Sequence, residues 1–124
     1  MKLIIPGQVD FKFINPTYIE SVSGGDREII RELVDLFAQQ VVEFTSEMKD
    51  LHSRKDYYSL GLLAHKAKSS VAIIGMEDLA KMLKVFELDA KESKNTGTYE
   101  GMINRFEAET KTAVEELYGY VNNL

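Results

Sequence analysis

Two histidines, His52 and His65, are the only imidazoles in a chain of 124 residues that has no cysteine and no tryptophan. His65 lies in a stretch of helical periodicity from Tyr57 to about Ile74. On a wheel of about 100° per residue, Leu63, Ala67, Val71 and Ile74 fall within about 60° of Leu60 and form the stripe a core would bury. His65 lands about 140° from Leu60 and therefore faces outward. Around it the wheel sets Tyr58, Gly61, Leu62, Ser69, Ala72 and Ile73, small and apolar residues where solvated charges are usual. The small side chains at Gly61, Ser69 and Ala72 leave the imidazole open to close approach by another macromolecule. Lys68 lies about 60° round the wheel, so its ammonium can reach a group attached to the ring. Lys66 points further away, either as a solvated charge or as an orienting contact for a partner. His52 stands in the polar run His52-Ser53-Arg54-Lys55-Asp56 and reads as a solvated loop histidine. A predicted helix boundary separates the two histidines, so a shared metal site fails on spacing.

The segments that must position His65 are helical. Thr17 to Glu20 fits a capping box, and a short helix from Tyr18 to about Val22 is broken by Ser23-Gly24-Gly25, with Asp26 placed to cap the next. From Arg27 to about Leu51, Ile29, Ile30, Leu33, Leu36, Phe37, Val41, Phe44, Met48 and Leu51 recur at spacings of three and four. Gly75 stops the His65 helix. Met76 to about Glu92 forms the next, with Glu77 and Asp78 at its positive end. Ser93 to Thr98 has loop composition, and Tyr99, Met102, Ile103, Phe106, Ala113, Leu117 and Val121 mark the last helix. Phe37, Phe44, Phe86 and Phe106 read as core. The expected fold is all-α, an up-down-up-down four-helix bundle over 17–124. Residues 1–16 differ: Val9, Phe11 and Phe13 alternate with Asp10 and Lys12, an extended segment suited to lying across the helices, with an edge strand or a contact to a second copy as alternatives.

Composition excludes much. Fifteen basic against twenty acidic residues give a formal charge of -5, which repels a phosphate backbone and argues against nucleic acid. Apolar runs are far shorter than the roughly 18 residues a membrane span requires, and Met1 to Ile5 holds no secretory core, so a cytoplasmic location is expected. A chain of this size with 44% hydrophobic residues can stabilise a core without disulfide or metal. There is no P-loop, kinase glycine loop or acidic magnesium cluster, so no ATP chemistry of its own is expected.

The run Ala64-His65-Lys66-Ala67-Lys68-Ser69-Ser70-Val71-Ala72-Ile73-Ile74-Gly75 resembles the signature of histidine-containing phosphotransfer (HPt) domains, AHxLKGxxxxxG. The likeness extends through Leu79, Leu83 and Glu87, which resemble the leucines and closing glutamate of the family's next helix. Upstream it takes in Tyr18-Ile19-Glu20 and Gly24-Gly25-Asp26, which resemble the opening helix and GD turn. It covers about Tyr18 to Glu92. Ala67 replaces the usual leucine, and Ser69 stands where glycine is most frequent.

The resemblance implies a phosphocarrier of a two-component phosphorelay, with His65 as phosphoacceptor and receiver domains as partners. Neutral imidazole is nucleophilic and can accept a phosphoryl group on Nε2. Lys68 would offset part of the phosphoryl charge, with Ser69 or Ser70 as hydroxyl donors. Tyr58, Gly61, Leu62, Lys66, Ala72 and Ile73 would dock the receiver. No cofactor is expected in this chain, since the receiver would bring the acidic pocket and magnesium, and a monomer is expected. The alternative is a helical adaptor that binds signalling partners without phosphotransfer.

Overall fold

In a computed structural model, described here for residues 11–124, the chain is all-helical. The order is α1 (Pro16–Ser23), α2 (Arg27–Ser53), α3 (Tyr57–Ile73), α4 (Glu77–Lys91), a single 3-10 turn (Thr96–Thr98) and α5 (Tyr99–Asn122). Packing runs α2 on α3, α3 on α4, α4 on α5 and α5 back on α2, so the four long helices enclose one core, while α1 rests on α2 and α3. No helix among the described residues is long and apolar enough to cross a membrane.

Local chemistry sets the boundaries. Asp26 caps α2 by accepting from the amides of Glu28 and Ile29, at 2.9 and 3.2 Å. Asp56 caps α3 by accepting from Ser59 N–H. At α1 the cap is Asn15, whose side chain accepts from Thr17 N–H, so the expected Thr17 capping box does not form. Pro16 is the reason: its fixed φ and missing N–H suit the first helical position, which starts the helix two residues earlier than Tyr18. Gly75 ends α3 at φ +85°, with its own N–H on Ala72 O and Met76 N–H on Val71 O. The same pair of bonds closes α2 at Lys55 and α4 at Ser93, both held at positive φ.

Core positions on α3 agree with the wheel: Leu60, Leu63, Ala67, Val71 and Ile74 are buried, as are Phe37, Phe86 and Phe106, with Phe44 half-buried. Two assignments on α2 change. Ile29 and Leu36 are exposed, and Val34, on the opposite face of the helix, is buried in the core. His52 lies in the last turn of α2, half-buried, and not in a loop.

Of the extended N-terminal segment, residues 11–15 lie on the chain's own helices; Val9 and the rest of 1–10 fall outside the described residues. Phe11 and Phe13 pack against the core, Phe11 meets Tyr120 edge to face at 6.0 Å, and Ile14 is buried. The Glu116 carboxylate accepts from the backbone N–H groups of Lys12, Phe13 and Ile14, which anchors the segment to α5. Asn15 N–H then donates to Ile74 O at 2.9 Å, and a Cβ at Gly75 would come within 2.4 Å of the Asn15 side chain. The end of the His65 helix is thereby fixed by glycine's lack of a side chain as well as by its backbone freedom.

Candidate functional site

His65 projects from the middle of α3 with 55% of its side chain exposed, beside the edge of α4. Its Nδ1 lies 3.0 Å from Oε1 of Glu87, a residue whose side chain is only 5% exposed. A carboxylate is an acceptor only, so the ring nitrogen facing it carries the proton. In the neutral imidazole that leaves the lone pair on Nε2. The buried carboxylate thus fixes both the tautomer and the orientation of an exposed ring.

Glu87 is itself held from two further directions. Lys91, one turn along α4, reaches Oε2 at 2.8 Å, and Lys68 of α3 lies 3.5 Å from Oε1. The Lys91 ammonium is the main reason the Glu87 carboxyl titrates low, at about 2 against an ordinary 4.5, with the hydrogen bond from His65 adding to it and burial opposing it. A buried anion without partners would be costly; here three donors surround it.

Close approach of α3 and α4 makes this geometry available. Gly61, expected on the outer face, is buried against α4. A Cβ there would stand 2.9 Å from the Glu87 carbonyl oxygen, 2.9 Å from Lys91 Cγ and 3.1 Å from Lys91 N. Ala64 and Ala67, both fully buried, continue the line of small side chains. Gly61 sits only about 40° from His65 on the wheel, but α4 occupies that flank. Gly61 serves the site by letting Glu87 reach the ring, not by meeting a partner.

The other expected residues divide. Tyr58, Leu62, Lys66, Ser69, Ala72 and Ile73 are exposed, as the wheel placed them. Lys68 is half-buried beside Glu87. Ser70 faces the opposite side of α3, where its hydroxyl donates to Gln40 of α2 at 3.2 Å, so it is not beside His65. Being five residues on, it is about 140° round from the ring, whereas Ser69, four residues on, is about 40° round.

Apolar surface extends beyond α3. Tyr18 and Val22 of α1 share a cleft with Ala72 and Ile73. Leu33, Leu36, Gln40, Ser70 and Ile73 line a second cleft of about 130 Å³ between α2 and α3. Ile73 joins the two. The amphipathic pattern hid this surface, because exposed Leu36 and Ile29 carry the same spacing as core residues. Among the described residues no group of three His, Cys, Asp or Glu side chains could hold a metal ion.

No protein-family model, curated protein or solved structure matches the chain.

Proposed function

We propose that this protein is a histidine phosphocarrier, an HPt-like domain that takes a phosphoryl group from one receiver-domain aspartate and passes it to another through His65. One observation carries the reading: a buried, ionised carboxylate holds Nδ1–H of a surface histidine and leaves Nε2 directed outward, among small and apolar neighbours.

The Nε2 lone pair attacks phosphorus in line, the P–O bond to the donor aspartate breaks, and that carboxylate leaves with the electron pair. The product is an N-phosphorylated imidazolium whose Nδ1–H still donates to Glu87, so the buried anion stabilises the cation that forms. Lys68 swings from Glu87 toward the phosphoryl oxygens, and the exposed Ser69 hydroxyl is within one turn of them. Transfer to an acceptor aspartate reverses the step. The aspartate pocket and magnesium belong to the partner.

Docking falls to Tyr58, Leu62, Lys66, Ala72 and Ile73, continued by Tyr18 and Val22 on α1 and Leu36 on α2. Consecutive long helices pack on each other, and three-residue connections join α2 to α3 and α3 to α4, which supports an up-down-up-down arrangement. That arrangement presents the middle of α3 as a rigid platform.

Incubation with an aspartyl-phosphorylated receiver tests the reading. Acid-labile, base-stable phosphate is expected on the wild type and not on His65→Gln; label that persists in the variant refutes it. Receiver binding without transfer would favour the adaptor. Lys68→Ala is expected to slow transfer about tenfold, the order of one charge-assisted contact, with an unchanged helical spectrum; equal rates would remove its role.

A further inference from the structure

Lys91 has no part in the transfer step, yet it makes the shortest contact to the residue that orients the nucleophile. Its ammonium lies 2.8 Å from Glu87 Oε2, against 3.0 Å for His65 on Oε1 and 3.5 Å for Lys68 on the same Oε1. His65 and Lys68 therefore share one oxygen, and Lys91 alone takes the other. The Lys91 stem runs over Gly61, where any side chain would meet Lys91 Cγ. That path carries the ammonium to the Glu87 carboxylate and leaves the Lys91 side chain only 31% exposed.

We propose that Lys91 is a positioning residue for His65: by holding Oε2 it fixes the Glu87 carboxylate with Oε1 toward Nδ1–H, and it spares Lys68 from being the anion's sole ammonium partner. The first half stands on geometry alone; the second rests on the phosphocarrier reading. With Lys91 gone, the carboxylate retains one lysine, which approaches from the α3 side and shares the oxygen used by the ring. Rotation of the carboxylate toward Lys68 then weakens the Nδ1–H bond, and Lys68 is less available to a phosphoryl group. An ordinary i,i+4 surface pair would do neither.

Ring nitrogen chemical shifts of the protein carrying 15N-labelled histidine decide the matter without any phosphoryl donor. His52 serves as internal reference. In the wild type at alkaline pH the neutral His65 ring is expected mainly as the Nδ1–H tautomer. Lys91→Met is expected to lower its Nδ1–H to Nε2–H ratio at least about threefold, a fraction of what a full charge-assisted hydrogen bond is worth. Lys91→Arg should restore the ratio, and His52 should not change. In a Glu87→Gln background, Lys91→Met should have no further effect on the ring, because the anion that couples the two is gone. A ratio unchanged in folded Lys91→Met overturns the proposal, as does an equal shift with and without Glu87. Should Lys91→Met not fold, Lys91→Gln is read in its place, against the same wild-type ratio. Failure of the wild type to accept phosphate would refute the phosphocarrier reading while leaving this measurement to judge Lys91.

Discussion

The seam between α3 and α4 and the seam between α2 and α5 differ in where they keep their charges. Between α2 and α5 the core is filled by bulky apolar groups, Phe37, Met48, Phe106 and Leu117, all buried. Its ion pair, Lys49 with Glu107 at 2.9 Å, is left at the solvent edge, where such pairs contribute little. Between α3 and α4, Gly61 stands against the α4 backbone, and beside it lies a buried carboxylate with three donors. Apolar filling would have been the simpler way to stabilise that contact, since a buried ionic cluster often gains nothing over well-packed hydrocarbon. The cluster has a different use, which is to orient His65. The contrast separates what holds the helices together from what readies the site.

Substitutions that act on one seam and spare the other test the contrast. The largest expected effect is from Phe106→Ala, which empties the fully buried α2–α5 side and should cost about 3–5 kcal/mol in denaturant unfolding. Receiver-dependent labelling of the remaining folded protein should hold. Gly61→Ala comes next. Its methyl would press on α4 backbone at 2.9 Å, so a loss of about 1–3 kcal/mol is expected together with a longer His65–Glu87 contact. A shifted His65 tautomer ratio in this variant, set beside an unaltered one in Phe106→Ala, would sharpen the comparison; shifts in both would break it.

Acid tests the α3–α4 seam through its charge. Because the Glu87 carboxyl is held at about 2 in the folded chain against an ordinary 4.5, its contribution to stability is fully present above about pH 4.5 and is lost as pH falls toward 2. Denaturant midpoints measured across that window should fall less steeply for Glu87→Gln than for the wild type. Parallel slopes would mean that the α3–α4 cluster adds nothing to acid sensitivity.

Much of this organisation is legible in the residues. Periodicity places the long helices to within a residue or two, because each carries one apolar stripe, and Asp26, Asp56 and Gly75 mark ends by local chemistry. The outward direction of His65 follows from the same arithmetic. What a wheel does not contain is the position of the neighbouring helix. Gly61 and His65 lie on adjacent spokes, yet one is buried and the other exposed, because α4 covers only one of them. Glu87 resembles a closing family residue in the sequence, but its bond to a ring 22 positions away depends on how closely two helices approach. Ser70 shows the converse, a hydroxyl near His65 in sequence that is claimed by Gln40 on another helix. At α1 the capping box at Thr17 lost to Asn15 because Pro16 changed where the helix could begin.

On the phosphocarrier reading, Glu87 leaves Nε2 of His65 as the nucleophile. Phosphorylating the protein with an aspartyl-phosphorylated receiver and locating the phosphoryl group by 1H–31P and 15N correlation tests it most directly. A single phosphoramidate on Nε2 of His65, absent from His65→Gln, is expected. A phosphoryl group on Nδ1, on His52, or on any residue of the His65→Gln variant would contradict it.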